Sequence, residues 1–483
     1  MPHTAQLSSR PTDPTTLAES EIPRFLDRER QRFTDLSHEI WGHAEIGYRE
    51  HRSAAAQKAV LEHFGFRIAD ALAGMPTAFV GEAGHGGTVI ALLGEFDALP
   101  NLGQEAGNPQ RAGDGTRNGH ACGHHLLGTG ALAAAVAAAE FLARHGLPGR
   151  IRYYGCPAEE NGIGKAFLAR AGHFADVGAA LTWHPGASTG VMTGPILANI
   201  QAYFRFTGRA AHAATAPHLG RSALDAVELM NVGVNYLREH MPPDARVHYA
   251  ITDSGGHAPN VVQARAEVLY LVRSQSAAEL KALYRRVCRI AQGAALMTET
   301  ALEIAVDKAT APMLHNLVLD EWLAALVARL GAPAFDAPDF AAARRFQASL
   351  SEEELAAGKR KFLIPDAYGE ALADRAMPYR PEHSSVGGST DVSDVSWVVP
   401  TAQIWSPCFA IGTPGHSWQN VAQGKSSYAH KGMLHAARML AVAAVDLLQA
   451  PETLAAAARE LAASVARSGL PDLLPADVGP PRI

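Results

Sequence analysis

Cysteine is scarce, with four in 483 residues. Cys122, Cys156, Cys288 and Cys408 lie far apart. A chain this long with so few thiols has no need of a disulfide framework, so reduced cysteines and a cytoplasmic location are expected. Excess positive charge is also missing: 42 Lys and Arg stand against 48 Asp and Glu, a formal net charge of −6. That argues against nucleic acid, which calls for a basic face. No apolar run reaches the roughly 18 residues of a membrane span. The nearest, residues 126–139, is rich in alanine and glycine, ends at Glu140 and reads as a buried helix. The N-terminus lacks a charged start followed by an apolar core, so no secretory signal is expected, and residues 1–20 read as a flexible arm.

What is present is concentrated. Gly119-His120-Ala121-Cys122-Gly123-His124-His125 groups four potential metal ligands around a turn-forming glycine. Cys156-Pro157-Ala158-Glu159-Glu160 and Thr182-Trp183-His184-Pro185 follow downstream. Thiolate, imidazole and carboxylate together suit zinc, manganese, cobalt or nickel, whereas magnesium and calcium prefer oxygen cages. A glutamate doublet offers one ligand and one spare carboxylate for proton transfer, but spacing alone cannot say which is which. These features point to a metal-dependent hydrolase.

At about 150 residues per domain the length suggests two or three domains. Residues 88–93 are apolar almost throughout, as in a central strand buried on both faces, and lead into Glu95 and Asp97. Chemistry in open α/β sheets sits beyond such strand ends. Strands at 151–156 and 179–183 run into the Glu pair and His184 in the same way. Between 196 and 309 the order becomes β-α-β-β-α-β, which matches a ferredoxin-like insertion. The expected fold is α/β: a mixed-sheet zinc-peptidase-like catalytic domain (21–195 and 310–483) interrupted by an α+β lid or dimerisation domain (196–309). Residues 331–381 read as loop-rich.

Asp97-Ala98-Leu99-Pro100, the Cys/His cluster, the Glu pair, His184, Gly208-Arg209-Ala210-Ala211-His212-Ala213-Ala214 and Gly415-His416-Ser417 together resemble the aminoacylase/carboxypeptidase family of dinuclear metallohydrolases. Within it they are similar to the amidohydrolase branch, which includes aminobenzoyl-glutamate, auxin-conjugate and hippurate hydrolases. The run from Ser389 to Trp397, with His416-Ser417-Trp418-Gln419, tilts the resemblance toward the aminobenzoyl-glutamate type.

The resemblance implies two divalent transition metals, zinc or manganese first and cobalt or nickel next. They would be held by Cys122, His124, Glu160, His184 and His416, with Cys122 in the bridging place that aspartate takes in other branches. It makes Glu159 the general base and later proton donor, and Asp97 the residue that orients a ligand imidazole. His212 would stabilise the oxyanion from a neighbouring active site, Asn260 would hold substrate, and Arg273 could pair a substrate carboxylate. His125 stands where the branch often has Asp, and Glu95 also departs from the usual pattern.

The implied substrate is an N-acyl or N-aroyl amino acid, p-aminobenzoyl-glutamate-like or indole-acetyl. An aromatic-amine hydrolase releasing ammonia and a non-catalytic partner subunit are the alternatives. A homodimer through the inserted domain is the default assembly and a homologous partner subunit the variant. Trp397, Trp418 and the 331–381 segment are expected to wall the acyl pocket.

Overall fold

The computed structural model describes residues 17–112, 116–381 and 388–481. Residues 1–16 of the expected arm lie outside these. Its last residues, from Leu17 to Ser20, open a helix instead, because Ala18 and Glu19 are buried.

The chain runs α1 (Leu17–Arg28), α2 (Arg30–His43), α3 (His51–His63), β1 (Arg67–Asp70), β2 (Phe79–His85), β3 (Val89–Glu95), α4 (His124–His145) and β4 (Gly149–Cys156). Next come α5 (Gly164–Arg170), β5 (Val177–Gly186), β6 (Gly190–Val191), β7 (Ala198–Thr207), α6 (Ala223–Leu237), β8 (Arg246–Asp253), β9 (Arg265–Ser274), α7 (Ala277–Thr298) and β10 (Ala301–Thr310). It closes with α8 (Leu317–Leu330), α9 (Ala337–Gln347), α10 (Glu352–Lys361), α11 (Val392–Ser396), β11 (Thr401–Pro407), α12 (Trp418–Gln423), α13 (Ser427–Leu448) and α14 (Pro451–Ser468).

Two sheets organise these elements. The first has the order β1-β2-β4-β3-β5-β11-β6. Its four central strands, β4, β3, β5 and β11, are mutually parallel, while β2 and β6 run antiparallel to their neighbours. Every residue of β3 is buried, which is why its sequence is a continuous apolar run. Helix α4 is long and apolar enough to cross a membrane by length and composition, yet nearly all of it is buried inside the fold. It packs beside α13, which in turn lies on β11. Gly432 permits that approach, since a Cβ there would collide with the Pro407 carbonyl.

The second sheet is antiparallel, ordered β10-β7-β9-β8, and carries α6 and α7 on one face around its own apolar core. Burial alternates along β7 and β9, so one face meets the helices and the other turns away. This is the ferredoxin-like arrangement. The chain's tail connects the two parts: Leu473 joins the second core, and Arg170 donates to the Val478 carbonyl at 2.6 Å.

The 331–381 segment is more regular than expected. It contains α9 and α10, each opened by a capping box, Asp336 with Asp339 and Ser351 with Glu354. Those boxes are readable in sequence as a cap residue followed three places later by an acid.

Candidate metal centre and cleft

Loops at the C-terminal ends of the parallel strands converge on one point, as open α/β sheets arrange their chemistry. Beyond β3 comes Asp97, and beyond β4 come Glu159 and Glu160, while His184 lies near the end of β5. Gly123, at φ 81°, turns the chain between Cys122 and the first residue of α4, His124. His416 arrives from the loop after β11, its N–H donating to the Ala121 carbonyl at 3.0 Å. Both Ala158 and His416 sit in the left-handed region, at φ 57° and 55°. Non-glycine residues held there cost of order 1–3 kcal/mol and cluster at functional sites. Buried Glu50 holds the first of these turns, accepting from Ala158 N–H at 2.8 Å and from the Thr77 hydroxyl at 2.9 Å.

Imidazole orientation is set by the ring nitrogens facing away from the centre. His124 Nδ1 donates to Asp97 Oδ1 at 2.8 Å, and His184 Nδ1 donates to the Pro185 carbonyl at 2.8 Å. Each leaves Nε2 as the free donor atom, the tautomer a metal ligand needs. Asp97 also accepts from the Glu160 N–H at 2.9 Å, so one carboxylate orients two neighbours. Cys122 Sγ lies 3.4 Å from His184 Nε2, and His416 Nε2 lies 3.3 Å from Glu160 Oε2.

Two compact ligand groups result, Cys122 with His124 and His184, and Cys122 with Glu160 and His416. Cys122 belongs to both. Among the described residues His124 Nε2 and Glu160 Oε1 are buried without a well-aligned hydrogen bond, although Glu95 Oε2 lies 3.1 Å from the imidazole nitrogen, and buried polar atoms so placed are suited to ligate a cation. Donor types and these two buried atoms therefore fit divalent transition ions, which the two groups would hold. Burial and Glu160 push the Cys122 thiol up, but His184 and His124 outweigh them and bring it to about 5, so the thiolate is available.

The structure separates the two adjacent glutamates. Glu160 stands in the group with Cys122 and His416; Glu159 stands with Glu95 and His124. Burial raises Glu160, yet the His416 hydrogen bond and the nearby His124 outweigh it and hold the carboxyl at about 2. Glu159 moves the other way: burial first, then the charges of Glu95 and Glu160, raise it well above the usual carboxylate range. A carboxyl raised in this direction holds a proton more readily than a solvated one, as a group that takes up a proton and hands it on must.

Sequence reasoning missed the support beneath this centre. Lys165, Glu95 and Asp391 are all buried, and Lys165 Nζ lies 2.8 Å from Glu95 Oε1 and 2.5 Å from Asp391 Oδ1. Glu95 Oε2 in turn is 3.1 Å from His124 Nε2. A lysine set among apolar residues in Gly164-Lys165-Ala166-Phe167-Leu168 was the available signal. His125 takes no part in the ligand groups; it donates to the Gly424 carbonyl at 2.9 Å and packs on His120.

A cavity of about 910 Å³ opens over the ligands, lined by Cys122, Glu159, His184 and His416 and by Arg273 and Lys308 of the second sheet. Its apolar wall is aromatic: Trp405 meets His184 edge-on at 5.3 Å and Phe362 at 5.0 Å. The expected walls Trp397 and Trp418 do not line it. Trp397 is buried instead, because its indole N–H finds the Pro312 carbonyl at 2.7 Å. From the 331–381 segment, Phe362 and Met377 do contribute.

His212 and Asn260 are exposed and lie outside the cavity of their own chain. They are neighbours, with Ala213 N–H donating to the Asn260 carbonyl at 3.0 Å. His212 Nδ1 accepts from the N–H groups of Ala214 and Thr215 at 3.2 and 3.3 Å, which leaves its Nε2–H as an outward donor.

Known proteins resemble the chain over most of its length. Over 443 residues the chain is 48% identical to the B subunit of p-aminobenzoyl-glutamate hydrolase of Escherichia coli (strain K12), covering 88% of this chain and 92% of that protein. It is 29% identical to Xaa-Arg dipeptidase of Mus musculus, covering 93% and 95% of the two chains. Among solved structures, a dinuclear metal-binding M20 peptidase of Bacillus subtilis superposes with a TM-score of 0.54 at 19% identity, covering 88% of this chain and 99% of that one. The model of peptidase family M20/M25/M40 matches residues 91–446. The chain belongs to that family and is a metal-dependent hydrolase of amide bonds.

Proposed function

We propose that the chain cleaves the amide bond of an N-aroyl or N-acyl amino acid, with p-aminobenzoyl-glutamate the first substrate to test. The observation that carries this reading is the cavity over Glu159, whose lining includes both the Trp405–Phe362 aromatic pair and Arg273. Such a cleft accommodates an aromatic acyl group and an amino-acid carboxylate at once. The name of the 48% identical relative supports the same substrate. Arg273 and Lys308 disfavour a basic leaving residue, the substrate class named for the mouse relative.

In this reading Cys122, His124, Glu160, His184 and His416 would hold two divalent ions, zinc or manganese first. When bound, such ions would supply Lewis-acid polarisation of the amide carbonyl and a lowered pKa for water. Glu159 accepts the proton of the attacking water as the new C–O bond forms. It then returns that proton to the leaving nitrogen as the C–N bond breaks. Asp97 keeps His124 in the ligating tautomer, and Arg273 orients the substrate carboxylate.

His212 supplies an oxyanion donor and Asn260 a substrate contact to the active site of a second copy. Two features support dimerisation through the inserted domain. Strand β8 is an edge paired only with β9 among the described residues, and it exposes Tyr249 and Ile251. Helix α6 exposes Val232 and Tyr236. Unprotected strand edges and apolar patches mark association surfaces. The bacterial relative is named as one of two kinds of subunit, which makes a homologous partner the alternative to a homodimer. The cytoplasm is the proposed location, on the scarcity and free state of the thiols.

The test is to strip the protein, reload it separately with zinc, manganese, cobalt or nickel, and offer a panel of acyl and aroyl amino acids. Metal-dependent release of free amino acid supports the proposal. Ammonia without amino acid would replace it with an aromatic-amine hydrolase. Tight metal binding with neither product would move the activity to a complex with a homologous partner.

A further inference from the structure

We infer that Lys308 selects an acidic leaving amino acid, taking its side-chain carboxylate while Arg273 takes the α-carboxylate. This rests on the amidohydrolase reading above and assigns its amino-acid specificity to a residue that neither motif nor resemblance had marked.

The backbone explains why a lysine faces the cavity. Strand β7 lies between β9 and β10, and its alternate residues Asn199 and Gln201 point away from the helices. Arg273 on β9 is paired with Asn199, and Lys308 on β10 is paired with Gln201. A regular ladder would not place Lys308 there. Val306 pairs with Ala202, so without interruption Asp307 would oppose Gln201 and Lys308 would oppose Ile200, a buried member of the apolar core. The register shifts between Val306 and Lys308, and this bulge turns the ammonium from the core face to the cavity face.

The two cations stand two strand spacings apart and two residues apart along β7, roughly 12 Å between backbones, within reach of one ligand for two long side chains. All four side chains line the cavity. Arg273 donates through Nη1 to the Ser389 hydroxyl at 3.0 Å, while its Nε is buried without a partner. Asn199, only 6% exposed, has Oδ1 in the same condition. Among the described residues the Lys308 ammonium makes one hydrogen bond, a long one of 3.4 Å to the Glu160 carbonyl. Neither Lys308 nor Arg273 forms an ion pair among the described residues. Two half-buried cations with unmet donors, facing a cavity above a hydrolytic centre, are arranged for a ligand with two anionic groups.

The experiment uses the full-length, metal-loaded protein with matched p-aminobenzoyl conjugates of glutamate, glutamine, alanine and arginine. The variants are Lys308→Met and Lys308→Arg. Wild type is expected to favour the glutamate conjugate over the glutamine conjugate by roughly 30-fold or more in kcat/KM, mostly through KM, as for a buried charge pair. Lys308→Met should collapse the ratio to within a few-fold, and Lys308→Arg should restore most of it. Thermal unfolding and metal content would show that both variants are folded and loaded.

A Lys308→Met enzyme that keeps the wild-type ratio overturns the inference and leaves the amidohydrolase reading standing. A wild type indifferent to glutamate against glutamine does the same. Should wild type turn over no conjugate, the amidohydrolase reading fails by itself. Titration calorimetry of free glutamate against glutamine then decides the inference: Lys308-dependent preference for glutamate keeps it, and equal binding ends it.

Discussion

Replacing Lys165 by methionine tests whether the charge network beneath the metal centre holds the catalytic domain together. Lys165 is fully buried, and its ammonium lies 2.8 Å from Glu95 Oε1 and 2.5 Å from Asp391 Oδ1. Asp391 also accepts from the Lys165 backbone N–H at 2.7 Å, so the pair ties α5 to the start of α11. Burial opposes the charge on Lys165, but Asp391 and Glu95 outweigh it and hold the ammonium well above the ordinary lysine range. A group with a raised folded-state pKa contributes stability that is complete below its unfolded value, about 10.4, and is lost as pH rises through the folded one. The lysine's share of the network is therefore undiminished at neutral pH.

Removing one partner of a buried ion pair costs about 3–5 kcal/mol, because the remaining charge has no compensation. Burial already pushes the Asp391 carboxyl up, so it can be neutralised by protonation, and Glu95 keeps His124 beside it. These reliefs place the expected loss near 3 kcal/mol, the lower end of that range. Guanidinium unfolding of the metal-free protein at pH 7, followed by tryptophan fluorescence, measures it. Adding Asp391→Asn to Lys165→Met should recover roughly half or more of the loss, since cation and anion then leave together. A single variant that loses less than about 1 kcal/mol, the scale of a solvent-screened surface pair, would refute the argument.

Further outcomes follow from the centre itself. Glu159→Gln should retain both metals by elemental analysis while kcat falls at least about 100-fold, as expected for loss of a general base; loss of metal would exchange the roles of the two glutamates. Cys122→Asp should still bind two ions and Cys122→Ala about one fewer per chain, because two ligand groups share this residue; two tightly bound ions in Cys122→Ala would remove the thiolate from the bridging place. His212→Ala should lower kcat by about 10²–10³ without changing metal content. Mixing it with Glu159→Ala under subunit exchange should regenerate activity, since one site of each mixed dimer would be intact; no recovery would place His212 outside the reaction of a second copy. Chelation should abolish turnover and lower the unfolding temperature. At a metal concentration about 1,000 times Kd the linked stabilisation is near 4 kcal/mol, and an unchanged midpoint would mean the ligand groups bind nothing tightly.

Elements whose sequences carry one dominant period were legible. The buried run of β3, the alternation of β7 and the β-α-β-β-α-β order follow from side-chain burial on one or both faces, which sequence records directly. The His/Cys cluster and the Glu pair were legible for a different reason: metal chemistry needs particular donor atoms, and few residues supply them. Helices α9 and α10 were missed despite readable caps, because both are short and α10 is mostly polar, so neither shows a long apolar stripe. Trp397 stands out in the sequence as an aromatic near a motif, but an indole N–H needs a partner, and the Pro312 carbonyl supplies it away from the cavity.

The residues that stayed hidden share one cause. Lys165, Glu95 and Asp391 are separated in sequence and meet only because β3, α5 and α11 converge. No local spacing records such a meeting. Lys308 is harder still, since the alternation that makes a strand legible predicts the wrong face for it. One extra residue in β10 reverses the direction of the side chain, and nothing in Val306-Asp307-Lys308-Ala309 announces the insertion. The opposite face of β7 decides the matter: Gln201 and Asn199 are polar where Ile200 and Ala202 are apolar. A lysine placed opposite Ile200 would strand an ammonium in the second core, at a cost of several kcal/mol. The bulge avoids that cost and sets the lysine over the hydrolytic centre. Its position is therefore tied to the stability of the inserted domain as well as to substrate choice: deleting Asp307 removes the extra residue, leaves Lys308 opposite Gln201 and should keep the preference for a glutamate over a glutamine conjugate, and a ratio of kcat/KM values that collapsed on this deletion would overturn the register argument.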